Sequence, residues 1–205
     1  MQRRNTLKLI AAGLVMAASG LMPVHAQQNV AAINPPQPTL GNGQIEVVEF
    51  FSYGCPHCAN FDPILSQWRG TQQKDVVFKR VPVSFGHPDW AAYGRLYLTL
   101  NTLGLSDKLD SAVFDAIQKD RVRLDKEDVR NDWLAKKGVD VKKFNDTWRS
   151  FSVDTLAKRA EQTAAAYKVM GVPYLAIAGK FGIEGGDPAG LKSADAVINR
   201  IRSGK

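Results

Sequence analysis

The chain has 205 residues, 44% of them hydrophobic, and its 27 Lys and Arg against 20 Asp and Glu give a formal charge of +7. Three of those positive charges lie in a leader-like N-terminus; the remaining +4 is scattered, with no block of like charges, and does not call for nucleic acid. Beyond the leader no apolar stretch is long enough to span a bilayer, and the apolar content is that of an ordinary globular chain.

Arg3, Arg4 and Lys8 precede an apolar stretch from Leu9 to Met22, and Val24-His25-Ala26 offers small residues at the outer and inner cleavage positions. This predicts a signal peptide over residues 1–26, too short and wrongly flanked for a membrane span. Arg3-Arg4 ahead of Leu7-Lys8 hints at twin-arginine export, although Thr6 stands where a hydrophobic residue is expected. No cysteine near the cleavage point offers a lipid anchor. The mature protein is expected in the periplasm, where disulfides persist.

Residues 27–44 form an N-terminal arm whose stretch from Gln27 to Gly43 is rich in Gln, Asn and Pro, and it reads as extended. The apolar run Ile45–Phe51 predicts a strand, followed by Cys55-Pro56-His57-Cys58 and a helix from about Pro56 to Trp68, with Gly70 near its stop. A second strand is expected over Val76–Val83. About eighty helical residues follow. Trp90, Tyr93, Tyr97 and Leu100 share a helix face that Gly104 ends, and Asp125 is placed to cap a helix carrying Val129 and Trp133. Phe144, Trp148 and Phe151 continue the apolar pattern, and Val153 to Tyr167 mark a long helix ending at Gly171. The chain closes with a strand over Tyr174–Ala178, a turn at Gly179-Lys180, a strand from Phe181 and a helix from about Pro188 to Arg202. The expected fold class is α/β: a βαβ unit over residues 45–83 and a ββα unit over 166–205, interrupted by a helical insertion at 84–165.

Cys55 and Cys58 are the only cysteines. Residues i and i+3 share one helix face, so the two sulfurs meet with little backbone movement. Pro56 suits the first helical turn, where its missing N–H costs nothing. Cys55 then lies where orphan N–H groups and the helix dipole favour an anion, and the thiolate is the nucleophile. A zinc site needs about four ligands, and beyond the leader only these cysteines, His57 and His87 are on offer without recourse to carboxylates. No metal site is expected. Ala59 excludes a c-type haem, which needs Cys-x-x-Cys-His. As a structural staple the bridge is poor, since closing a loop of about four residues removes only roughly 2 kcal/mol of chain entropy. A redox centre is the favoured reading.

Glu49-Phe50-Phe51-Ser52 leading into Cys55-Pro56-His57-Cys58, with Gly171-Val172-Pro173 before the third strand and an insertion of this size, resembles the DsbA family of periplasmic thiol–disulfide oxidoreductases. That resemblance implies a thioredoxin fold (βαβ + ββα) with an inserted helical domain, and a cis Val172–Pro173 bond facing the dithiol as part of the substrate-binding loop; without it, a trans proline opening a strand would be preferred. It implies that Cys55 attacks or is attacked, that Cys58 is the resolving thiol, and that His57 and the helix terminus stabilise the Cys55 thiolate. It places Glu49 beneath the dithiol as a proton relay for Cys58. Lys79, on the neighbouring strand, is the candidate charge partner for Glu49, with the register against Arg80 left open. By the same resemblance no cofactor is bound, the substrates are reduced exported proteins, a membrane-bound quinone-linked partner of the DsbB type reoxidises the dithiol, and the protein is a monomer outside the membrane. Gly54 stands where well-known members carry an aromatic residue, which implies a more open groove, and Tyr174 where a small residue is common. The expected function is dithiol oxidation. The alternatives are a disulfide reductase or isomerase, and a peptide-binding chaperone whose dithiol is incidental.

Overall fold

The computed structural model describes residues 30–204, so the expected signal peptide and the first residues of the arm lie outside the described residues. Its single sheet has the order β1-β5-β4-β2-β3. The strands are β1 (Val30–Ala32), β2 (Ile45–Phe51), β3 (Val76–Pro82), β4 (Tyr174–Ile177) and β5 (Phe181–Glu184). β2 is buried along its whole length, pairing parallel with β3 and antiparallel with β4. A parallel pair needs a crossover, and helix α1 (Pro56–Thr71) supplies it. The helical insertion comprises α2 (Pro88–Thr102), α3 (Ser106–Gln118), α4 (Glu127–Lys136), α5 (Val141–Trp148) and α6 (Phe151–Ala166), and α7 (Pro188–Arg202) closes the chain.

Alternation along β2 divides the core. Ile45 and Val47 pack with Phe61, Leu65, Leu175, Leu191 and Ile198 beneath α1 and α7. Val48 and Phe50 face the other way, against Ala164, Tyr167 and Val169 at the end of α6. Phe51 and Tyr53 lead into a third cluster shared with the insertion, and both cysteines belong to it. The dithiol therefore sits on the seam between the sheet and the helical insertion.

Several boundaries differ from expectation. The arm contributes β1, which pairs antiparallel with β5 and gives the sheet an additional edge strand. Asp125 does not cap α4: its carboxylate binds Arg123 and the cap position falls to Lys126. Ser150 accepts from the Val153 N–H and starts a new helix at Phe151, whose side chain is 83% exposed and takes no part in the core stripe. α6 ends at Ala166 rather than running to Gly171. The tight turn falls one residue earlier, with Ala178 and Gly179 both at positive φ between the Ile177 carbonyl and the Lys180 N–H that donates to it at 3.0 Å.

A Cβ built on Gly182 would overlap the hydroxyl end of Tyr174 on the paired strand. Gly182→Ala is expected to destabilise the fold by about 1–3 kcal/mol, and by clearly less in a Tyr174→Ala background. Denaturant melts of the four proteins test this; equal costs in both backgrounds would remove Tyr174 as the cause.

Candidate active site

Cys55 is the N-cap of α1, in extended backbone conformation, with Pro56 in the first turn. Its sulfur receives the Cys58 N–H at 3.4 Å, in the way a cap side chain satisfies an orphan donor. The Cys55 thiol also lies 3.4 Å from the Val172 carbonyl oxygen, and the Val172–Pro173 bond is cis, as the resemblance implied. A second cis bond, Asn34–Pro35, was not anticipated. Both thiols are free. Cys58 is fully buried, while Cys55 retains 4% of its surface.

The two sulfurs are pushed in opposite directions. The Cys58 thiol, as donor, has the largest effect on Cys55 and lowers its pKa to about 6. Burial opposes this, and the N–H groups of Cys58 and His57 and the charge of His57 reinforce it. Burial raises the pKa of Cys58, and its hydrogen bond to Cys55 and the nearby Cys55 charge raise it further. One thiol thus ionises readily and its neighbour stays protonated. His57 and Asn60 line a groove of about 540 Å³ together with Met170, Gly171, Val172 and Pro173. Met170, unremarked in the sequence, is 89% exposed at its edge.

The expected Glu49–Lys79 pair is corrected. In the parallel β2–β3 register Glu49 lies opposite Arg80 and Val48 opposite Lys79. Paired residues project to the same face, so Lys79 points away from Glu49. It meets Glu46 instead, while the Arg80 Nε donates to Glu49 at 2.5 Å. Arg80 also donates to Asp62 on α1 at 2.6 Å and to Asp110 on α3 at 2.9 Å, and Asp110 receives the Tyr53 hydroxyl. Burial raises the pKa of Glu49 against the pull of Arg80. Its Oε1 has no hydrogen-bond partner. Asp62 and Asp110 were missed. Asp62 carried a readable signal, since it lies one helical turn beyond Cys58 on the buried face of α1. Asp110 carried none, because nothing local ties α3 to β3.

The two departures at the site also resolve differently. A Cβ on Gly54 would fall inside the Trp90 indole, so the space beside Cys55 is occupied from α2 and is not a more open groove. Tyr174 turns to the far face of the sheet and packs on Phe50, with ring centroids 6.0 Å apart. Among the described residues no group of three or more His, Cys, Asp and Glu is placed to hold a metal ion, and no helix is long and apolar enough to cross a membrane.

The model of the DSBA-like thioredoxin domain family matches residues 46–194. The thiol:disulfide interchange protein DsbA of Pseudomonas aeruginosa is 37% identical over 204 residues, covering 95% of this chain and 96% of the relative. The DsbA of Bordetella pertussis is 38% identical over 210 residues, covering 98% and 100%. The crystal structure of Pseudomonas aeruginosa DsbA superposes with a TM-score of 0.81 at 38% identity, over 86% of this chain and 93% of that one. DsbA from Xylella fastidiosa gives 0.79 at 32% identity, over 85% and 96%.

Ultraviolet absorbance of the thiolate in the reduced protein is expected to titrate with a midpoint of about 6, and the transition should vanish in Cys55→Ser. A midpoint near the unperturbed value of about 8.5 would mean that the cap position and Cys58 do not stabilise the thiolate.

Proposed function

The chain belongs to the DsbA family of thiol–disulfide oxidoreductases, and on that basis we propose that it is a monomeric periplasmic dithiol oxidase that passes the Cys55–Cys58 disulfide to newly exported proteins. The observation that carries the direction of the reaction is Cys55 at the cap of α1, receiving the Cys58 N–H. A substrate thiolate attacks the Cys55 sulfur of the disulfide, the bond to Cys58 breaks, and a mixed disulfide forms. The substrate's second thiolate then attacks the substrate sulfur and Cys55 leaves as a thiolate. Pro56 supports the helix start, His57 favours the Cys55 anion, and Val172 and Pro173 present backbone and ring to the incoming chain beside the groove. Glu49, beneath Cys58, exchanges the proton that Cys58 needs. A membrane-bound, quinone-linked partner of the DsbB type restores the disulfide, and the protein carries no cofactor of its own.

Only the reduced form contains a thiolate, so whatever stabilises that thiolate makes the disulfide a stronger oxidant. A pKa of about 6 against about 8.5 for a free thiol stabilises the reduced form at pH 7 by about 1.4 kcal/mol. That is about 30 mV of potential, and each further unit of depression would add about as much again. The potential measured against glutathione separates the oxidase from a reductase or isomerase: a value near that of thioredoxin, about −270 mV, would overturn the oxidase reading. Refolding of a reduced, disulfide-containing protein separates it from a chaperone, for which Cys55→Ser would retain full activity.

The folded pKa of Cys55 lies below the unfolded one, so the stabilisation of the reduced protein is full above pH 8.5, declines as pH falls, and is gone below about 6. Relative to the oxidised form, the reduced form should gain about 1.4 kcal/mol between pH 5 and 7 and about 2 kcal/mol between pH 5 and 9, where the raised pKa of Cys58 takes back part of what Cys55 contributes. Denaturant melts of both forms at the three values measure it; a difference independent of pH would contradict the assignment of the thiolate to Cys55. In a separate test, Cys58→Ala is expected to accumulate mixed disulfides with exported proteins, detected on non-reducing gels, and adding Cys55→Ala should abolish them. Adducts that survive the second substitution would place the nucleophile elsewhere.

A further inference from the structure

Arg80 joins three carboxylates from three elements: Glu49 on β2, Asp62 on α1 and Asp110 on α3. Three acids against one cation, all largely shut off from water, leave an excess of negative charge that is relieved when one acid holds a proton. Two of these acids have different surroundings. Glu49 is fully buried, with Oε1 unpartnered, and its charge acts on Cys58. Asp110 accepts from Arg80 through Oδ2 and from the Tyr53 hydroxyl through Oδ1. With Arg80, Tyr97, Asn101 and Ser106 it lines a second cavity of about 540 Å³ between the insertion and β3. Asp107, whose side chain is 85% exposed, stands on the rim of that cavity and marks its opening to solvent.

We propose that Asp110 is a positioning residue for the dithiol chemistry, taking up a proton from solvent through this cavity as Glu49 gives one to Cys58, while Arg80 holds the carboxylates that are charged. The proposal rests on the disulfide-exchange reading above. When substrate thiolate attacks Cys55, the electron pair of the broken S–S bond stays on the Cys58 sulfur, and the Glu49 carboxyl supplies the proton that neutralises it. Glu49 is then an anion, its hold on Arg80 tightens, and Asp110 becomes the acid that carries the proton. One proton enters from solvent for each disulfide opened and none crosses the guanidinium. The charge of the cluster is the same before and after, so no uncompensated ion is left beneath Cys58. Reoxidation reverses each step.

The charged and titratable groups facing Asp110 are Arg80 of β3, Glu49 of β2, Asp62 of α1, Tyr53 of the β2–α1 turn and Tyr97 of α2, with Arg69, Lys79, Asp107 and Arg159 at the cavity. Burial raises the pKa of both Glu49 and Asp110, and Arg80 opposes the rise in each. Burial thus favours the neutral form of both acids, which an exchange of a proton between them requires.

Infrared difference spectra of the full protein, cycled between oxidised and reduced forms with a small dithiol, read protonated carboxyl groups directly. Wild type is expected to lose one carboxylic-acid band on reduction and gain another at a different frequency. Asp110→Asn should lack the gained band, and the decline of its substrate oxidation at high pH should move about one unit lower, because Glu49 loses a neighbouring negative charge. Asp110→Glu should restore both. If Asp110→Asn does not fold, Tyr53→Phe should shift the gained band to higher frequency by removing its hydrogen-bond donor. A gained band that survives Asp110→Asn, or that Tyr53→Phe leaves unmoved, overturns the exchange. Failure of wild type to oxidise thiols at all would instead overturn the functional reading on which it rests.

Discussion

One buried guanidinium ties this molecule together. Arg80 reaches the central strand, the first turns of the active-site helix and the insertion through Glu49, Asp62 and Asp110, and lies 4.8 Å from the ring centroid of Phe51. A charge so placed is costly unless every partner is in position, and removing one partner of such a group typically costs about 3–5 kcal/mol. The cluster therefore fixes the register of β2 against β3, since a slip of one residue would turn Arg80 to the opposite face. It also fixes where the insertion sits. α3 cannot move away from β3 without taking from the buried Asp110 carboxylate its ion pair with Arg80.

Above that cluster, a single turn of helix makes two unlike thiols from two like residues. Cys55 is outside the helix proper, where its sulfur meets an N–H that no carbonyl claims. Cys58 is inside, surrounded by Phe51, Tyr53 and the insertion core, where an anion would lose its hydration without replacement. Each lowers or raises the other as well: the Cys58 thiol donates to Cys55, which favours the Cys55 anion and disfavours a second one beside it. The asymmetry is a property of the spacing, and three residues is the separation at which one cysteine caps and the next is buried.

The parts of this arrangement that are local were legible in the sequence. The strand before the dithiol, Pro56 in the first turn, the closing ββα unit and the helical character of the insertion all follow from periodicity and turn chemistry. What was not legible depends on parity or on distant packing. Whether Lys79 or Arg80 faces Glu49 is a matter of one residue of register, and both are cations, so composition is silent. Ser150 interrupting the apolar run from Phe144 to Phe151 is a cap signal that the run itself concealed. β1 is three residues long and exists because β5 offers it an edge. The cis geometry at Pro173 followed from the family resemblance, since a proline opening a strand is compatible with either isomer.

Gly54 shows how a sequence position and a position in space can diverge. Taken alone, a glycine before the nucleophile implies room beside it. The room is filled by Trp90, thirty-six positions further along, whose indole lies where the side chain of any other residue at 54 would begin. Phe85 and His87 flank that indole, with centroids 6.2 and 5.6 Å away, and Phe85 holds a positive φ that a bulky residue adopts only at some cost. The wall of the active site on this side is thus built by the entry to the insertion rather than by the cysteine motif. Because Arg80 and Asp110 fix the insertion to the sheet, the same contacts that settle the charges below Cys58 also settle what stands beside Cys55. The reactive sulfur is framed by two elements that the sequence keeps far apart: the loop at Val172–Pro173 on one side and the start of α2 on the other.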